Sequence, residues 1–231
     1  MPNADQQLVT DIRDALAAAA DSAKAGRMQA YMKSTMPFRG VQKPARVTAL
    51  RSVFCQHALS DQETWDVTVR VLWDAAGFRE ERYAAIDLAR HSPYSKWASD
   101  VQSMDLYDHL IVTGAWWDYV DDIAIRLVGP TLRAHRADVT PIILGWAHDA
   151  DRWRRRAAVI CQIGARDDTD TALLTACIRD NADDPDFFLR KGIGWALREH
   201  AETNPDWVRS FVATHRDVLS PLSIREATRH L

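Results

Sequence analysis

The stretch "DRWRRRAAVICQIG" (151–164) decides how the chain folds. Trp153, Ala157, Ile160, Cys161 and Gly164 recur at helical spacing and form a packing face. Behind Trp153 come three arginines, which point in three successive directions around the helix. Arg156, flanked by Ile160 and Ile163, points nearest the core side. A planar guanidinium in that position suits a phosphate, because it bonds two oxygens at once. The plainer alternative is a solvated arginine face paired with Asp149 and Asp151.

Two other helical patterns lie at equal distances on either side. Thirty-nine residues before Arg156 is Trp117, in "TGAWWDYVDDIAIRLVG" (113–129). There Trp116, Val120, Ile123 and Leu127 share one stripe that can be buried, while Trp117 and Asp121 lie one turn apart on another face. Thirty-nine residues after Arg156 is Trp195, in "PDFFLRKGIGWALREH" (185–200). Leu189, Ile193, Ala196 and Leu197 form its core stripe. Lys191, Trp195 and Arg198 follow at i, i+4 and i+7 along another face, where a ring between two cations suits a polyanion. Taken alone, this helix reads better with Trp195 in the core and the cations extending past it. In an array of helix pairs about 40 residues long, equivalent positions face the same way. Trp117, Asp121, Arg156 and Trp195 can then converge on one surface.

The rest of the chain is helical in pattern as well. The periodicity predicts helices over 5–24, 26–34, 43–58, 60–75, 78–91, 105–113, 115–127, 137–149, 151–164, 169–182, 185–202, 205–215 and 220–230. "MPFRGVQKP" (36–44) and "HSPYSKWASD" (91–100) read as loops, the second with a short turn. No run alternates long enough for a strand. Short connections make neighbouring helices antiparallel. From residue 100 onward the pairs recur at HEAT-like spacing, which predicts an all-α curved solenoid with a concave groove. An irregular helical bundle satisfies the same periodicity.

With 231 residues, the chain suffices for one large domain or a repeat array, and we take 1–231 as a single domain. Net charge is −3, so a globally basic nucleic-acid binder is not indicated, although a local basic groove is compatible. Cys55, Cys161 and Cys177 show neither CxxC nor Cys/His zinc spacing, and read as free thiols in a reducing cytosol. The first twenty residues carry early acids and no long apolar core, so a secretory signal is not expected. No stretch approaches the ~20 apolar residues of a membrane span.

Four segments together resemble the AlkD-type DNA alkylation repair enzymes, which are alkylpurine DNA glycosylases built from HEAT-like repeats. They are "YMKSTMPFRGV" (31–41), "WWDYVD" (116–121), "WRRRAAVICQI" (153–163) and "RKGIGWALREHAETNP" (190–205), in the family's order. The resemblance implies that Asp121 is the catalytic carboxylate. It implies that Trp117 and Trp195 flank the damaged nucleotide and that Arg156 holds the DNA backbone. Tyr31 approaches the lesion on the same grounds. Arg39 stands where the family pattern has an apolar residue, and is expected either to change the contact of that first motif or to add a phosphate contact. Tyr119 is bulkier than the pattern leads one to expect. Lys191 and Arg198 would join Arg156 along a basic groove.

The implied chemistry suits these residues. A purine alkylated at N3 or N7 is already a cationic leaving group, and its departure passes through an oxocarbenium-like sugar. A fixed carboxylate, a positioned water and π-faces help such a reaction. The expected partner is double-stranded DNA containing alkylated purines such as 3-methyladenine and 7-methylguanine. A cytoplasmic monomer without cofactor, metal or membrane association is expected. A protein-binding scaffold, or a non-catalytic binder of branched or distorted DNA, remains open at this stage.

Overall fold

The computed structural model describes residues 3–231. Among them, every regular element is helical and no strand occurs. None of the helices is long and apolar enough to cross a membrane. The described residues divide into two compact units, 3–98 and Ser99–Leu231.

The first unit contains α1 (Gln6–Ala18), α2 (Ser22–Met32), α3 (Lys43–Gln56), α4 (Gln62–Asp74), α5 (Arg79–Ala89) and the short α6 (Ser95–Ala98). Its core is built on i, i+4 spacing: Leu8, Ile12 and Leu16 of α1 pack with Trp65, Val69, Leu72 and Trp73 of α4, all fully buried. The Ala-rich run expected over 5–24 is not one helix. Asp21 accepts from the backbone N–H of Ala23 and starts α2, so the side-chain cap sets a boundary that alanine content conceals.

The loop from 37 to 41 is held by a carboxylate. Glu80 is fully buried and accepts backbone N–H bonds from Arg39 (2.9 Å), Gly40 (2.9 Å) and Val41 (3.0 Å). Gly40 has φ +86°, and a Cβ there would lie 2.0 Å from the Asp21 carbonyl oxygen, so only glycine fits.

The second unit contains α7 (Met104–Gly114), α8 (Trp117–Ile123), α9 (Gly129–Ala134), α10 (Arg136–Ala147), α11 (Arg152–Ile160), α12 (Thr171–Arg179), α13 (Phe187–Ala201), α14 (Pro205–Thr214) and α15 (Pro221–Ala227). Helix α11 packs on both α8 and α13, and α13 packs on α15, so these four lie in a row; α10 packs on α11 and α12. Aspartates start the important members. Asp151 caps α11 through Trp153 (2.6 Å) and Arg154, and Asp186 caps α13 through Phe188 (2.7 Å) and Leu189.

The helix expected over 115–127 continues further than its pattern suggested. A π-helical turn, Ala124–Val128, joins α8 to α9, so the helical path runs past Gly129 and Pro130. At Gly129 a Cβ would lie 2.3 Å from the Cys161 carbonyl oxygen, which places glycine where the end of α11 comes closest.

Candidate active site

Helix α8 starts sharply. Ala115 is left-handed (φ +43°) and Trp116 is extended, which turns the chain into the helix at Trp117. Val120, Ile123 and Leu127 are buried as expected. Trp116 is only half-buried and leaves their stripe for an aromatic cluster. Its ring centroid lies 5.6 Å from Phe188 and 6.1 Å from Trp153, and those two are 5.1 Å apart. The cluster fastens the starts of α8, α11 and α13 together. Tyr119 is fully buried, so its bulk is absorbed by the core.

One turn after the half-exposed Trp117, the Asp121 carboxylate meets Arg156. The guanidinium is forked onto it, Nε to Oδ1 at 2.7 Å and Nη2 to Oδ2 at 2.8 Å. The Arg156 side chain is 4% exposed and that of Asp121 14%. The remaining terminal nitrogen, Nη1, donates to the Phe188 carbonyl on α13. A Cβ on Gly192, one turn further, would stand 3.0 Å from Nη1. The glycine thus leaves room for the guanidinium between α8 and α13. Burial pushes the Asp121 carboxyl above the usual aspartate range; the Arg156 hydrogen bonds and charge oppose this, while Asp118 and Asp122 reinforce it.

Arg156 therefore points inward, as its neighbours predicted, and its fork closes on a carboxylate. Two of its three guanidinium nitrogens bind that carboxylate and the third a backbone carbonyl. The other two arginines follow the plainer reading: Arg154 closes on Asp108 (2.7 Å) and Asp149 (3.2 Å), and Arg155 on Asp184 (2.9 Å).

Lys191, Trp195 and Arg198 do share one face of α13. Trp195 is half-buried, and its Nε1 donates to Glu199 Oε1 at 3.0 Å. Both cations are paired within the protein, and Lys191 keeps 42% of its side chain exposed. Lys191 Nζ lies 2.7 Å from Glu226 Oε1, and Arg198 Nη1 lies 2.9 Å from Oε2. This pairing holds the Glu226 carboxyl below the usual glutamate range, the Lys191 bond first. Helix α15 comes this close because residue 194 is glycine: a Cβ there would be 2.4 Å from Glu226 Cβ and 2.8 Å from the Ser223 carbonyl oxygen. The three cations of the expected groove are thus paired in two clusters, Arg156 with Asp121, and Lys191 and Arg198 with Glu226.

In the first unit, Arg39 is not a free cation either. Its Nη2 lies 2.9 Å from Glu81 Oε1, and its guanidinium stacks 3.9 Å above the Phe78 ring. Glu81 is buried, so a positive partner is required there. Tyr31, near the end of α2, is 77% exposed.

Sequence reasoning missed Gly192, Gly194, Phe188, Glu199 and Glu226. The G-x-G inside a helix was the available signal. Each glycine costs ~1 kcal/mol of helix propensity relative to alanine, so close packing must justify it. Among the described residues, no group of three or more His, Cys, Asp or Glu side chains is placed to hold a metal ion.

Comparison with known proteins adds the following. A family model described as DNA alkylation repair enzyme matches residues 12–231. A solved structure described as a predicted DNA alkylation repair enzyme from Enterococcus faecalis is similar, with a TM-score of 0.81 and 27% sequence identity. The match covers 92% of this chain and 96% of that one. A comparison with curated proteins returned no match.

Proposed function

Because the chain belongs to the DNA alkylation repair enzyme family, we propose that it is a DNA N-glycosylase that excises cationic N3- or N7-alkylated purines from duplex DNA. The observation that carries this reading is the Asp121–Arg156 fork beside Trp117. A carboxylate held by both oxygens in a mostly buried setting is a fixed negative charge with little freedom to reorient. Such a charge costs no rearrangement when positive charge develops next to it.

The departing base carries its own positive charge, so the developing oxocarbenium sugar is the species to be stabilised. Asp121 faces that charge and orients the attacking water. The half-exposed indoles of Trp117 and Trp195 present π-faces to the same sugar. Arg156 acts on Asp121, not on the DNA: it keeps the carboxylate ionised against burial. Lys191 and Arg198 bind backbone phosphate by exchanging Glu226 for it. In this reading the protein acts as a monomer on duplex DNA, and Tyr31 of the first unit contacts that DNA.

The deciding experiment incubates the protein with a duplex carrying a single 7-methylguanine and measures release of the free base. Release establishes the glycosylase. Tight binding without release in single-turnover conditions makes the protein a non-catalytic DNA binder instead.

A further inference from the structure

Glu199 has an arrangement that the proposed chemistry leaves unused. It follows Trp195 by one turn of α13, and its Oε1 accepts the indole N–H at 3.0 Å. Both neighbouring cations of that face, Lys191 and Arg198, are taken by Glu226. Among the described residues, no cation closes on Glu199. It also borders a cavity of about 100 Å³ together with Gln162, Thr169 and His200, space enough for a few waters and so for a hydrated carboxylate. The carboxylate is thus directed at the indole and not consumed by an ion pair.

We propose that Glu199 is the positioning residue of Trp195, fixing its indole and enriching the ring face offered to the cationic sugar. The inference rests on the glycosylase reading above. Two physical effects act together. A hydrogen bond to a charged acceptor restricts a ring that is only half-buried and would otherwise turn about χ1 and χ2. An anion on the indole N–H also pushes electron density into the ring, which strengthens the attraction of its face for positive charge. Both effects favour the transition state over the neutral ground-state sugar, so they belong in the rate of base release rather than in affinity.

The test uses the full-length chain and single-turnover release of 7-methylguanine. Glu199→Ala should slow release about tenfold while leaving duplex affinity and its salt dependence unchanged. Glu199→Gln keeps an oxygen acceptor at the same reach and should recover part of the rate. In a Trp195→Phe background, which has no indole N–H, Glu199→Ala should cost nothing further. Thermal unfolding of each variant confirms that the fold is kept. An unchanged rate for Glu199→Ala, or an equal additional loss in the Trp195→Phe background, overturns the proposal while wild-type release leaves the glycosylase intact. Absence of release by the wild-type protein overturns both.

Discussion

Replacing Arg156 by alanine tests the centre of the site most directly. The substitution removes both bonds to Asp121 and the bond to the Phe188 carbonyl, while the carboxylate stays where it is. Breaking a buried ion pair by deleting one partner costs about 3–5 kcal/mol, because the survivor is left uncompensated. Asp121 keeps 14% of its side chain exposed, so the low end applies, about 3 kcal/mol. Part of that cost can be escaped by protonation, since burial already raises the Asp121 carboxyl. Protonation removes the charge on which the chemistry depends, and base release should fall by about 10²-fold at neutral pH. Urea unfolding measures the stability loss and single-turnover release the rate. The double variant Arg156→Ala/Asp121→Asn supplies the control: with no charge left to strand, it should be more stable than Arg156→Ala alone. A loss below about 1 kcal/mol, the range of exposed pairs, or no recovery in the double variant, would refute the argument that the fork neutralises a buried carboxylate.

Asp121→Asn should abolish most base release and also lower stability, because an amide offers Arg156 one acceptor in place of two; unaltered release kinetics would remove Asp121 from the mechanism. Base release should decline on the acid side with a midpoint above the ordinary aspartate value of 3.8, as the pH–rate profile will show. The stability contribution of that group has the opposite sense: its folded pKa is raised, so acidification toward 3.8 relieves the penalty of burying its charge. Glu226 has a lowered folded pKa, so its contribution is present above 4.5 and lost as the pH falls through the folded value; acid titration of Glu226→Gln against wild type measures it. In duplex-binding assays, Glu226→Gln should bind more tightly with a steeper salt slope, because Lys191 and Arg198 become available to phosphate. Gly194→Ala should lower stability by about 1–3 kcal/mol by overpacking α13 against α15, read by thermal unfolding.

Much of this was legible in the residues, for a definable reason. Periodicity reports which way a side chain points from its own helix. It placed Val120, Ile123 and Leu127 in the core and turned Arg156 inward. It does not report what stands opposite. Arg156 meets a carboxylate 35 residues earlier, and Lys191 and Arg198 meet one on a helix that begins 23 residues beyond Arg198. Those partners exist only once the helices pack, so the pairing of the three cations could not be read from their own helices. The π-helical turn at Ala124–Val128 carries no compositional mark; it lies directly before Gly129, where the Cys161 carbonyl comes close. Helix α9 was missed for the opposite reason: Gly129 and Pro130 look locally like an ending.

The link from Asp121 through Arg156 to the Phe188 carbonyl has a consequence for how the site opens. Helix α8 has seven regular residues before its path enters the π-helical turn. The Asp121–Arg156 fork ties it to α11, and the same guanidinium also hangs from the first turn of α13. Fraying any one of the three strands a charge or a carbonyl in the other two. The backbone amides of 117–123, 152–160 and 187–193 should therefore exchange as one cooperative unit, released together and not helix by helix, which hydrogen–deuterium exchange will check. A lesion-bearing duplex that grips α13 would slow deuterium uptake at α8 as well, and the acid would register binding that takes place two helices away.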